Sequence, residues 1–250
     1  MFALGASDTL VGVSEHSDHP PAARAIPRVG GIEVSAERVL AVRPDLVLAT
    51  REGNTRGPVA ALQSAGLDVL VVPGSSVDEV LAGIRLVAER LGRAGEGARL
   101  LSALEARRRA VRALASRSAR PRAILLIWPD PPQAAGGGTF LDAVLAEAGA
   151  VNALADRPGW PVVSQEFLAA APIDVLVVPD ADGTRDVYAR ALREGALSRG
   201  AAARAQIIRV DESALTRPGP RIFEAMEVLA AALAAGRESG IGNRESKKVR

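Results

Sequence analysis

Two short stretches of this chain carry the same pattern of side chains. SAERVLAVRPDLVLAT (Ser35 to Thr50) and SQEFLAAAPIDVLVVP (Ser164 to Pro179) each place a serine two residues before a glutamate. An aspartate then follows eight residues after that glutamate, at the head of an apolar run. Ser35 and Ser164 suit the N-cap of a short helix. That puts Glu37 and Glu166 at the second helical position, near free N–H groups and the positive end of the helix dipole. The capping box needs its acid one residue later, where Arg38 and Phe167 stand, so that motif does not account for them. Two readings stay open. These are ordinary first-turn acids, each contributing up to about 1 kcal/mol; or each lobe projects one carboxylate that docks onto a two-fold symmetric partner, fixing register and specificity.

Other residues suit a ligand. Trp128 follows an apolar run in LLIWPDPP, and Trp160 lies in the loop RPGWPVVS. Ligands of open α/β sheets bind beyond the carboxyl ends of strands, so both indoles are placed to stack on a flat aromatic ring or to pack their own loops. His16, Asp18 and His19 are the densest group of potential metal ligands. With no third element in sequence to complete a shell, they predict no dedicated metal site. They read as a polar loop, or as one histidine meeting the metal of a bound macrocycle. Gly136-Gly137-Gly138-Thr139 lacks the Gly-Lys-Ser/Thr of a phosphate loop and suits a tight turn or close backbone approach to a ligand. Asn54, Asp182 and Arg217, with Arg56, Asp180 and Arg221, fall in post-strand or pre-helix loops, where they can pair with amide or carboxylate edges of a ligand.

The composition narrows the functional classes. At 250 residues and 48% hydrophobic the chain can bury a substantial core or two smaller ones. There is no cysteine, which excludes disulfides, thiolate catalysis and Cys-ligated metals. The net charge is +2 and lysine occurs only at Lys247 and Lys248; a nucleic-acid binder would show a basic stripe with aromatic platforms. The cluster Arg107-Arg108-Arg109 with Arg112 reads as a solvated helix face. No apolar run reaches the roughly 20 residues that span a bilayer, and MFALGASDTLVG has no signal-peptide character. No Ser-His-Asp order, HExxH motif or paired acid emerges, so no catalytic residue is assigned.

The elements that must position these residues alternate strand and helix. Strands are predicted at Leu46 to Ala49, Asp68 to Val72, Ala123 to Ile127, Asp174 to Val178 and Gln206 to Val210. Helices are predicted at Pro58 to Ala65, Ser76 to Leu91, Gly95 to Arg117, Thr139 to Glu147, Asp186 to Leu192 and Ile222 to Ala235. Apolar strands separated by helices indicate parallel sheets. The expected organisation is α/β: an N-terminal lobe over 1–93, a long rigid helix over 94–119, a C-terminal lobe over 120–235, and a disordered tail over 236–250. One copy of the duplicated device then falls in each lobe.

Four stretches together carry a resemblance: FALGASDTLVGVSEHSDHPPAARAIPRVGG, SAERVLAVRPDLVLAT, AGGGTFLDAVLAEAGAVN and WPVVSQEFLAAAPIDVLVV. Over residues 2–233 the chain resembles the helical-backbone metal receptor class of ABC-importer substrate-binding proteins, and the cobalamin-binding members most. The resemblance implies two lobes on a rigid helix and a corrinoid held edge-on in a cleft between them. Heme or a ferric siderophore is the alternative ligand. It implies an ABC permease dimer as partner, met through Glu37 and Glu166, a monomer in solution, no nucleic acid and a periplasmic or extracytoplasmic location. Ser14 to Pro20 corresponds to a loop near the macrocycle, with histidine where tyrosine is common. An aromatic expected near Gly31 is absent, so stacking from that lobe must come from elsewhere. The resemblance also implies a start inside the family's first helix, with the first strand of lobe one and the secretion signal outside this chain. A truncated, non-binding interaction protein is a further reading.

Overall fold

A computed structural model of the chain describes residues 1–31, 35–50, 56–117 and 119–236. Contacts divide the chain into two compact units, Met1–Ala103 and Leu104–Arg250. No helix among the described residues is long and apolar enough to cross a membrane.

In the first unit, α1 (Ala36–Ala41), β1 (Val47–Thr50), α2 (Arg56–Ser64), β2 (Val69–Val72) and α3 (Val77–Arg90) follow one another. β1 and β2 run parallel, Val47 against Val69 through Thr50 against Val72. α3 begins where Ser76 Oγ accepts the Glu79 N–H at 3.1 Å, and the Glu79 carboxylate accepts the Ser75 N–H at 2.9 Å. Its buried face is Val77, Val80, Leu81, Ile84, Val87 and Ala88, the stripe that the 3.6-residue period predicts. Val87 and Ala88 pack with Leu4, Met1, Leu70, Val72, Leu91 and Leu100. The expected first helix is a single 3-10 turn, Phe2–Leu4, closed by Gly5 in the left-handed region.

Helix α4 (Ala94–Ala115) crosses the boundary between the units, and β3 (Arg122–Pro129), β4 (Pro132–Ala134), α5 (Phe140–Glu147), β5 (Val151–Asn152), α6 (Gln165–Ala170), β6 (Val175–Asp180), α7 (Arg185–Glu194), β7 (Gln206–Asp211), α8 (Glu212–Leu215) and α9 (Ile222–Ala235) complete the second. Its sheet has the order β4-β3-β6-β7, with β5 also paired to β3. β3, β5, β6 and β7 are parallel. β3 and β6 are buried over Ala123 to Leu126 and Val175 to Val178, the continuous apolar runs of strands covered on both faces. The proline-rich stretch after Trp128, which falls outside the predicted strands and helices, turns back as β4 and pairs antiparallel with β3. Trp128 accordingly lies within β3 rather than after it.

The glycine triplet has its explanation here. A Cβ on Gly136 would sit 1.9 Å from the Arg157 carbonyl oxygen, and one on Gly137 would sit 2.1 Å from that of Ala155. Both N–H groups donate into the same segment, Gly136 to Gly159 and Gly137 to Arg157, each at 2.8 Å. The close backbone approach expected of this triplet is therefore to the chain's own 155–159 loop. Thr139 ends the triplet as the N-cap of α5.

The arginine row of α4 corrects a second expectation. Only Arg109 and Arg112 lie on an exposed face, whereas Arg108 is 5% exposed. Arg108 and Arg112 both donate to Glu147 of α5, Arg112 Nε at 2.9 Å and Nη2 at 2.8 Å. Arg107 donates twice to Glu227 of α9, at 2.7 and 2.6 Å. Burial alone would raise the Glu147 carboxyl, but the hydrogen bonds and charges of Arg112 and Arg108 outweigh it and hold the group at about 2. A carboxyl depressed on folding stabilises the fold above its ordinary value of about 4.5 and loses that contribution as pH falls toward 2. Glu147→Gln should destabilise the protein by roughly 2 kcal/mol at neutral pH. In urea denaturation at a series of pH values, the gap between variant and wild type should close as pH falls from about 4.5 to 2.

Candidate functional site

In a parallel sheet the carboxyl ends of the strands share one edge, and four of the nine predicted ligand residues, Trp128, Trp160, Asp182 and Arg217, belong to the second unit in or near the segments at that edge. Trp128 lies near the end of β3, Asp180 ends β6 and Asp211 ends β7, with Asp180 registered against Asp211. Trp128 Nε1 donates to the Asp130 carbonyl at 2.9 Å. Its polar handle is satisfied within its own turn, so what it offers a ligand is the face of the indole. Across the antiparallel pair stands Gln133, whose Nε2 donates to the Trp160 carbonyl at 3.1 Å. One glutamine thus connects the neighbourhoods of the two tryptophans. Trp128 is 44%, Trp160 47% and Val162 58% exposed. All three side chains are thus open to solvent, on a backbone braced by Gln133 and the β3–β4 pairing.

Polar groups flank that surface. Arg185 Nε donates to Asp180 at 2.8 Å, and its Nη1 stands 3.4 Å from Asp182, whose side chain is exposed. Arg221 Nη2 donates to Asp211 at 3.0 Å and its Nη1 to Ser213 at 2.6 Å. Burial would raise the Asp211 carboxyl, but the Ala214 N–H, the Ser213 hydroxyl and Arg221 bring it below its ordinary value. Arg217 lies half-buried between α8 and α9. Trp128, Trp160, Asp182 and Arg217 therefore all belong to the second unit, in or next to the segments that follow its strands.

The first unit holds a separate group. Val13 bridges to Arg28, and the Arg28 guanidinium donates to the carbonyls of Ser14 at 2.7 Å and Ser17 at 2.6 Å. This guanidinium fixes the turn that displays His16 and His19, both exposed, with Asp18 half-buried between them. Gly31 lies beside the turn: a Cβ there would stand 2.9 Å from Glu15 Oε2. Glu15 in turn stands 3.6 Å from Arg38 of α1. Among the described residues, no three His, Asp or Glu side chains cluster in a way that could hold a metal ion. Asn54 lies outside the described residues.

The duplicated device folds as its spacing predicts. Ser35 Oγ accepts the Arg38 N–H at 3.3 Å and Ser164 Oγ accepts the Phe167 N–H at 3.2 Å, so Glu37 and Glu166 are second residues of six-residue helices. Both are exposed. Its own backbone N–H, then the Ser164 hydroxyl, hold the Glu166 carboxyl below its ordinary value, which keeps it anionic. α6 has a brace that sequence reasoning missed: the Arg157 guanidinium lies 4.4 Å from the centroid of the Phe167 ring. Gln133 was missed as well. Nothing in the local sequence marks either residue, because the groups their side chains meet, the Trp160 carbonyl and the Phe167 ring, lie 27 and ten positions away.

Residues 1–214 match the periplasmic binding protein family. The chain is 29% identical over 238 residues to the ABC transporter substrate-binding lipoprotein YvrC of Bacillus subtilis, covering 92% of this chain and 74% of that one. It is 31% identical over 179 residues to the vitamin B12-binding protein of Salmonella paratyphi A, covering 71% of this chain and 67% of that one. Among solved structures, the periplasmic heme-binding protein RhuT from Roseiflexus superposes with a TM-score of 0.83 at 32% identity, covering 94% of this chain and 93% of that one. The chain belongs to the periplasmic binding protein family, a class of substrate-binding proteins of ABC transporters.

Proposed function

We propose that the chain captures a corrinoid, cobalamin in the first instance, on the extracytoplasmic side of a membrane and delivers it to an ABC permease without transforming it. The observation that carries this reading is the pair of half-exposed indoles, Trp128 and Trp160, supported from behind by Gln133. Two open indoles, with the Trp128 N–H already satisfied within its own turn and charged groups at the neighbouring strand ends, suit the face or edge of a macrocycle with polar substituents. The relative named as a vitamin B12-binding protein supports the same ligand class.

Heme is the second reading, favoured by the similarity to a heme-binding protein. The chain's own residues narrow which side chains could serve it. Heme iron is held by His, Cys, Met or Tyr. There is no cysteine, and the sole tyrosine, Tyr188, and Met226 are buried in the core. Met1 packs into the first unit's apolar cluster, which leaves His16 and His19. Cobalamin brings its own axial groups and asks for no protein ligand.

Glu37 and Glu166 are read as the docking points for the permease, one carboxylate in each unit. Exposed charges of this kind set orientation and association more than ligand affinity.

Titration of the purified protein with cyanocobalamin, cobinamide, heme and a ferric siderophore tests the ligand. One-to-one corrinoid binding at micromolar affinity or better is the expected outcome, and binding of heme alone would transfer the assignment to the second reading. Trp128→Ala and Trp160→Ala should each weaken corrinoid binding about tenfold, the loss of roughly 1.4 kcal/mol of stacking and burial. Unchanged affinity in both removes the indole platform. Glu37→Ala and Glu166→Ala should abolish uptake in a reconstituted transporter while leaving affinity within a factor of about two. A tenfold loss of affinity in either would show that the residue serves the ligand and not the permease.

A further inference from the structure

Three buried side-chain polar atoms among the described residues have no hydrogen-bond partner: Thr184 Oγ1, the Tyr188 hydroxyl and Arg209 Nη1. Thr184 is the N-cap of α7, yet its hydroxyl makes no capping bond. Tyr188 follows one helical turn later, so both side chains leave the same face of the helix. Tyr188 is 1% exposed and packs in one apolar cluster with Val178 of β6. Val178 is registered against Arg209 of β7. Registered residues of neighbouring strands project to the same side of a sheet, and Ile207, two residues before Arg209, packs against that same cluster. Arg209 therefore enters the sheet face that α7 covers.

All three atoms are hydrogen-bond donors. Burial first, and the charge of Glu212 second, push the Tyr188 hydroxyl up from its ordinary value, which keeps it protonated and able to donate. The Arg209 guanidinium forms no ion pair with any described residue. Desolvated donors without acceptors are costly, and Arg209, half-buried with Nη1 shielded from solvent, brings positive charge to the same sheet face. The missing complement is an acceptor that carries negative charge and is small enough to be enclosed.

We propose that Thr184, Tyr188 and Arg209 hold a small monovalent anion of chloride size, the guanidinium supplying the charge and the two hydroxyls the remaining hydrogen bonds. All three atoms are out of contact with solvent, which favours a halide over phosphate or sulfate, whose desolvation costs more. The bound ion would fix the first turn of α7 and with it the segment from Asp180 to Arg185 beside the ligand edge. The proposal stands apart from the choice of ligand, because none of the three residues is assigned to that edge.

Thermal unfolding of the full chain at constant ionic strength, with sodium chloride replacing sodium gluconate, tests it. The midpoint should rise with chloride and with bromide in a saturable way. Thr184→Val and Tyr188→Phe should raise the half-saturating concentration several-fold, and Arg209→Gln should abolish the dependence. A wild-type protein that responds equally to chloride and gluconate overturns the proposal, as does a chloride response retained in Arg209→Gln. Should Arg209→Gln fail to fold, bromide-soaked crystals of the wild type decide. An anomalous peak within hydrogen-bonding distance of Arg209 Nη1 supports the site, and ordered water without anomalous signal shows that the cluster is hydrated and binds no anion.

Discussion

Arg108 is packed against α5 with almost no access to water, and its charge is met by a carboxylate, Glu147, that it shares with Arg112. A pair so well shielded gains little net stability, because desolvation offsets most of the attraction. Its effect is to make other arrangements worse: any packing of α4 on α5 that separates the two strands a buried charge. Arg107 adds a bidentate pair to Glu227 of α9 from the neighbouring position. Leu104, Arg108 and Val111 then form one inward stripe, and the rotation of α4 about its axis is fixed. The sheet rests on the same frame, since α5 contacts β3 and α9 contacts β7. The edge where Trp128, Asp180 and Asp211 end their strands inherits its position from that clamp.

What could be read from the sequence was whatever depends on near neighbours. The buried stripe of α3, the bounds of α9 at Ile222 and Ala235, and the caps at Ser35 and Ser164 follow from periodicity and local hydrogen bonding, and the structure reproduces them. What could not be read depends on partners far along the chain. Pro132 to Ala134 has the composition of a loop, yet it is a strand because Gln133 and Ala134 meet β3 and the 161–163 segment. The arginines of α4 have the composition of a solvated face, but Glu227 lies 120 positions from Arg107 and Glu147 lies 39 from Arg108. The candidate site divides in the same way. Its indoles and carboxylates are legible by type and position, whereas Gln133, Arg157 and the packing role of Gly136 are not.

The two carboxylates show how little structure is needed to present a charge at the surface. A serine cap and one helical turn place each acid in the first turn of a helix, beside its free backbone N–H groups. Nothing about the rest of either unit has to change to present it. The His16 turn is built with similar economy, since one guanidinium, Arg28, spans the two carbonyls that close it.

The 155–163 segment is held almost wholly by main-chain atoms: Gly136 to Gly159, Gly137 to Arg157, Gly159 to Gly137, Ala134 to Pro161 and Val163 to Pro132. None of these bonds reads a side chain at position 160. The path of the loop and the group it displays are therefore separable. Positions 136 and 137 tolerate only glycine, because any Cβ collides with backbone that cannot yield, while position 160 is open to change. A library built at 128, 160 and 162 on an untouched glycine triplet would alter what the surface displays and leave the frame in place. The architecture is in that sense a socket whose lining can be exchanged without recutting the socket.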